Sequence, residues 1–227
     1  MTTAAKVAIA GTGRAGTTLL MQIFTDLDLD TGYGSDHTID DRVHAGLERG
    51  IETPDGPRIV KNPNLSRRLG ELLDSGAVEV EHVIIPMRNL DVAAASRVRN
   101  TRYGSDLHTF GGLFGTSRAT RQREALALLF YELMFTVVRH DLPYTLLMFP
   151  RFAEDWEYAY DKLSFLDPTI EPERWKTAIE GRVDLTLVHE EPLTRSERVK
   201  TVGGTIYTQA IGRPSRGLKR ALGKGSK

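Results

Sequence analysis

Two hydrophobic periods alternate along the chain. Val7-Ala8-Ile9-Ala10 is a short apolar run with no charge after Lys6, and it empties into Gly11-Thr12-Gly13-Arg14-Ala15-Gly16. A run of that length closed by glycines reads as a buried strand and a turn. From Thr17 to Leu27 the apolar residues Leu19, Leu20, Ile23, Phe24 and Leu27 recur at helical spacing. The alternation then repeats. Arg58-Ile59-Val60-Lys61 is a β-branched strand closed by Asn62-Pro63-Asn64, and Leu65, Leu69, Leu72 and Leu73 mark a helix that Asn64 or Ser66 could cap. Glu81 to Met87 is a third strand, with Pro86 near its end, where a ladder donor can be spared.

Farther on, residues 102–117 carry four glycines with Tyr103, His108, Phe110 and Phe114 and keep no period, which predicts a long loop able to close over an acceptor. Ser117 to His140 is the longest predicted helix, with Leu126, Leu129, Phe130, Leu133 and Val137 on one face. Tyr144 to Phe149 is a further strand, followed by a helical stretch through Leu163 to Phe165 and a helix from Glu171 to Ile179. The run Val183 to Glu191 has no assigned role. Strands alternating with helices predict an α/β fold, a three-layer αβα sandwich around a mostly parallel sheet, of the P-loop nucleotide-binding type.

The chain has 227 residues, and no shift in composition divides it, so one domain spanning 1–227 is expected. Thirty basic and thirty acidic side chains balance overall but not locally. After Glu197 there is no acid, while Lys200, Arg213, Arg216, Lys219, Arg220, Lys224 and Lys227 follow. A basic tail from about residue 213, expected to be flexible, suits a nucleic-acid arm, a membrane-surface contact, part of an anion site or a solvated terminus. The absence of cysteine excludes disulfides and thiolate zinc sites. No signal-type segment or apolar stretch of membrane-span length is present, so no stable membrane insertion is expected and a cytoplasmic protein is.

The glycine turn carries the first candidate chemistry. A loop that wraps an anion turns its amides inward, which glycine permits, and the amides that open the following helix lack intrahelical partners. Against the Walker pattern G-x-x-x-x-G-K-[ST], Gly11, Gly16 and Thr18 fit, but Thr17 stands where the lysine belongs and the cation is Arg14 within the loop. That substitution argues against ordinary ATP or GTP hydrolysis. A glycine-rich turn with no ligand is the plain alternative.

Arg14-Ala15-Gly16-Thr17-Thr18 resembles the 5′-phosphosulfate loop of sulfotransferases that use 3′-phosphoadenosine 5′-phosphosulfate (PAPS). A second stretch is similar to the same family. Arg88-Asn89-Leu90-Asp91-Val92-Ala93-Ala94-Ala95-Ser96 puts an arginine at a strand end and a serine eight positions later, the pair with which that family grips the 3′-phosphate. Here a Walker B strand would end in an aspartate for magnesium; an arginine points to anion rather than metal binding.

The resemblance implies sulfuryl transfer from PAPS to a hydroxyl or amine of a small-molecule, sugar or lipid acceptor, with no metal and no nucleic-acid partner. Gly11, Thr12, Gly13, Arg14, Ala15, Gly16, Thr17 and Thr18 would cradle the 5′ end, and Arg88 and Ser96 would hold the 3′-phosphate. Arg216 and Gly217 loosely match the basic carboxyl-terminal loop that covers that phosphate. Lys61, at a strand end, is expected to contact the transferring group. Pro63 stands where many members carry the catalytic histidine, so the base is sought elsewhere, with His37 first and then Asp36 and Glu52. A homodimer is compatible with the sequence. The competing readings are a P-loop kinase or nucleotide phosphotransferase, and a noncatalytic nucleotide-binding protein of the same fold.

Overall fold

In a computed structural model of the chain the described residues are 5–34, 46–103 and 112–184. They form four strands, β1 (Lys6–Ile9), β2 (Ile59–Lys61), β3 (Val80–Met87) and β4 (Tyr144–Met148). The helices are α1 (Thr17–Asp26), α2 (Leu65–Asp74), α3 (Leu90–Tyr103), α4 (Gln122–Arg139), α5 (Arg151–Glu154), α6 (Trp156–Leu163) and α7 (Pro172–Arg182). The sheet is all parallel in the order β2-β1-β3-β4. From β1 the chain first steps to β2 and then returns to β3 on the other side. The crevice beyond the carboxyl end of β1 is therefore the topological switch point, where open α/β sheets bind their ligands.

Alternate residues of the buried strands feed two cores, one on each face of the sheet. Val7, Ile9, Ile84 and Leu147 pack against α1, α6 and α7 around Phe24, Leu163 and Trp175. Ala8, Val60, Val83 and Ile85 pack against α2 and α4 through Leu69, Leu72, Leu133 and Val137. Helices thus cover both faces, giving three layers. Among the described residues no helix is long and apolar enough to cross a membrane.

Several boundaries differ from the sequence expectation. The longest helix begins at Gln122, after a short 3-10 turn over Ala119–Arg121, and α7 runs from Pro172 to Arg182 instead of Glu171 to Ile179. Proline belongs in the first turn of a helix, where its missing N–H costs nothing. Residues 102 and 103 still belong to α3, and residues 112–118 lead into α4. The rest of the expected 102–117 loop, residues 104–111, lies outside the described residues. So do the tail from 213 and the run from Leu185 to Glu191.

Pro86 is tolerated for a reason the topology supplies. The Ala10 amide donates to the Ile84 carbonyl at 3.1 Å, so Ile84 faces β1, and Pro86, two residues on, faces the same way. The β1–β3 ladder ends at Ile84, so the donor that proline lacks has no partner to lose.

Candidate functional site

Four chain segments meet beyond the strand ends: the glycine loop after β1, Lys61 at the end of β2, Arg88 after β3, and the Ser96–Arg97 pair of α3. The loop is built on positive backbone angles, with φ of 146° at Gly11, 67° at Gly13 and 74° at Gly16. Arg14 is also left-handed, at φ 56°, which costs a residue with a β-carbon about 1 kcal/mol. Gly16 is the N-cap of α1 and has no side chain with which to cap that terminus. A β-carbon at Gly16 would lie 2.6 Å from the Phe149 ring and 2.7 Å from Phe152. The ring pair that follows β4 therefore presses directly on the turn where the helix begins.

Not every amide of the loop faces inward. The Gly11 N–H donates to Ser66 Oγ at 3.1 Å, and the Ser66 hydroxyl donates to the Gly11 carbonyl at 2.7 Å. Gly11 is thus tied to α2 through both backbone groups, and its role in the loop is to bend it. This also corrects the capping expectation, because neither Asn64 nor Ser66 caps α2 through its side chain; Ser66 is committed to the loop.

The two stretches expected to serve opposite ends of one ligand are in direct contact. Arg14 Nε donates to Ser96 Oγ at 3.0 Å, and Arg88 Nη1 donates to the Arg14 carbonyl at 3.2 Å. The Arg88 guanidinium also lies 5.0 Å over the Phe149 ring, a cation–π distance. Lys61 is only 3% exposed; its Nζ donates to Thr18 Oγ1 at 3.0 Å and to the Gly46 carbonyl, and lies 3.7 Å from Glu48 Oε1. A lysine at a strand end usually reaches into water, whereas this one turns inward to the first turn of α1.

The electrostatics follow from crowding cations out of water. Burial pushes the Lys61 ammonium down to about 8; Glu48 offsets part of that, and Arg14 adds to it. Arg14 is pushed down to about 10, by burial first and then by the neighbouring charge of Arg88. At that value the Arg14 guanidinium remains protonated near neutral pH. Among the described residues Glu48 is the carboxylate that ion-pairs with Lys61, and it is half-buried.

Two contributors were not singled out from the sequence. Arg97 is 4% exposed, and its Nε and Nη2 donate to the Thr12 carbonyl at 3.1 and 2.6 Å while Nη1 donates to the Gly112 carbonyl at 2.7 Å. Burial, and secondly Arg14, lower its pKa to about 10. The signal for Arg97 was present: it follows buried Ala93 by four residues, placing an arginine on the packed side of a helix. Glu48 had no such signal, because it sits in a stretch with no period. Arg97→Lys is expected to lower stability by about 1–2 kcal/mol in thermal unfolding, since an ammonium cannot reproduce a planar fork on one carbonyl and leaves an acceptor short.

Of the residues expected at the site, Gly11, Thr12, Gly13, Arg14, Ala15, Gly16, Thr17, Thr18, Lys61, Arg88 and Ser96 gather here; the Ala15 side chain is fully buried in the core beneath the loop. His37, Asp36, Arg216 and Gly217 lie outside the described residues. Glu52 is committed elsewhere, in an ion pair with Arg68 of α2 at 2.7 Å. Compared with known proteins, the chain matches no family model, no curated protein and no solved structure.

Proposed function

We propose that this chain is a sulfotransferase that takes its sulfuryl group from PAPS and passes it to a hydroxyl or amine. The observation that carries the reading is the convergence of Arg14, Lys61, Arg88 and Arg97 on one crevice at the switch point, with Glu48 as the carboxylate paired there. Like charges brought together at low dielectric repel strongly, and an anion bearing several charges relieves that repulsion. The uncapped amides that open α1 favour the same ligand. Asn100, one turn beyond Ser96 on α3, adds a buried Nδ2 donor without a hydrogen-bond partner among the described residues.

In this reading the loop is a phosphate loop of the P-loop type. Arg14, Thr17, Thr18 and the first amides of α1 bind the 5′-phosphosulfate, and Arg88 and Ser96 bind the 3′-phosphate. The acceptor oxygen or nitrogen attacks sulfur as the bond from sulfur to the bridging oxygen breaks, and 3′-phosphoadenosine 5′-phosphate leaves. Lys61 stabilises charge on the transferring group. The acceptor proton passes to a base; Glu48 now stands beside His37 as a candidate, because its carboxylate flanks Lys61.

A kinase would want a carboxylate for magnesium after β3, where this chain carries Arg88. Calorimetry with 3′-phosphoadenosine 5′-phosphate, 5′-AMP and Mg-ATP separates the readings. The bisphosphate is expected to bind at least about tenfold more tightly than 5′-AMP, since a charged hydrogen bond contributes about 1.5–3 kcal/mol. Tightest binding by Mg-ATP would favour the kinase.

Lys61 supplies a pH test with two opposite slopes. Its folded pKa of about 8 lies below its ordinary value of 10.5, so between these values the unfolded chain holds more protons and stability rises with pH. Anion affinity should fall across the same window as the ammonium deprotonates. In Glu48→Gln the fall should begin at lower pH, because the Glu48 charge raises the Lys61 pKa. Titrations of bisphosphate affinity from pH 7 to 10 check this; a flat profile would remove Lys61 from the site.

A further inference from the structure

The outer face of α4 is built like the seam between two helices. Leu128, Tyr131, Phe135 and Val138 follow one another at spacings of three, four and three residues and are 58%, 66%, 56% and 67% exposed. This is the a/d rhythm of a paired helix, yet α4 already has a separate core face in Leu126, Leu129, Leu133 and Val137. From Leu128 to Val138 the sole charged residue is Glu132, which the helical period places at the margin of the stripe. Tyr131 and Phe135 stack on each other with ring centres 6.4 Å apart.

Among the described residues β4 is an edge strand, and it carries a second exposed apolar row on the same side of the sheet. Tyr144, Leu146 and Met148 are in register with Val83, Ile85 and Met87, so they point to the sheet face that α2 and α4 cover, and they are 40–49% exposed. Edge strands are usually protected by charge, and Tyr144–Met148 has none. At these exposures the seven residues present on the order of 800 Å² in all, the scale that each partner contributes to a standard interface.

We propose that a second copy of this chain occupies this face, in a two-fold dimer whose α4 helices pack side by side and against the exposed face of β4. A self-complementary apolar stripe is what an isologous contact requires. Among the described residues the last helix, α7, packs on α1 and α6, in the layer across the sheet from α4. The dimer is independent of the proposed chemistry, since α4's outer face takes no part in the glycine-loop crevice.

Sedimentation equilibrium or light scattering of the full chain at about 1–100 µM tests this. The wild type is expected to show twice the 25.3 kDa chain mass, and Tyr131→Glu with Phe135→Glu to give the monomer with unchanged circular dichroism. Because the chain has no cysteine, Tyr131→Cys supplies a second readout. A short bis-maleimide should join it into dimers, whereas Glu180→Cys, on exposed α7, should stay monomeric. A monomeric wild type would overturn the proposal, leaving the face to the chain's own tail or a different partner. A dimer that survives the double glutamate variant and leaves Tyr131→Cys unlinked would overturn it as well.

Discussion

Replacing Gly16 by alanine is expected to destabilise the protein by about 2–4 kcal/mol. Two effects add. The left-handed backbone at φ 74° costs about 1 kcal/mol once a β-carbon is present. The methyl would then stand under 3 Å from ring atoms of both Phe149 and Phe152, and forcing such overlap costs about 1–3 kcal/mol. Both rings are buried, and the pair packs together at 5.6 Å between centres, so neither can swing aside cheaply. Gly76 is the internal control. Its φ is 68°, nearly the same, but nothing lies within 4 Å of a β-carbon there, so Gly76→Ala should cost only the backbone contribution. Thermal unfolding should place Gly16→Ala roughly 5–15 °C below wild type and Gly76→Ala within a few degrees. Equal shifts for the two would mean the ring contact is easily relieved.

Arg88→Ala is expected to weaken binding of 3′-phosphoadenosine 5′-phosphate by about 10- to 100-fold while changing 5′-AMP affinity less than about threefold. The guanidinium lies over Phe149 and reaches the Arg14 carbonyl, so it also steadies the loop. Selectivity is therefore the informative readout. If Arg88 binds the 3′-phosphate, the ratio of the two affinities collapses; if it only holds the loop, both nucleotides lose equally and the ratio survives. Arg88→Lys should recover part of the ratio, because an ammonium keeps the charge but gives up the bidentate fork. Calorimetry of the three proteins with both nucleotides decides between these outcomes.

The fold was legible wherever burial imposes a period. Val7 to Ile9 and Val83 to Ile85 are uncharged apolar runs because both sheet faces are covered, and the Leu stripe of α2 is set by one packed face. The glycine loop was legible because its backbone angles admit few other residues. Lys61, Arg88 and Ser96 could be placed at one edge because strand ends in a parallel sheet all point the same way.

What escaped the sequence depends on contacts across distant segments. Nothing in the local pattern of Ser66 distinguishes a helix cap from a brace on Gly11 fifty-five residues earlier. Helical spacing puts Arg97 on the packed side of α3, but nothing local puts it against the Thr12 carbonyl, 85 residues away. Glu48 acquires meaning only through its distance from Lys61. The direct bond between Arg14 and Ser96 was likewise invisible, since it spans 82 residues.

The central claim is that a single nucleotide with phosphates at both ends of its ribose seats across the glycine loop and Arg88–Ser96. A crystal structure of the protein soaked with 3′-phosphoadenosine 5′-phosphate tests it most directly. The account predicts one phosphate against the first amides of α1 within reach of Lys61, and the other on Arg88 and Ser96, with the Ser96 hydroxyl drawn away from Arg14. A nucleotide bound elsewhere, or a loop left empty with Arg14 still on Ser96, would contradict it.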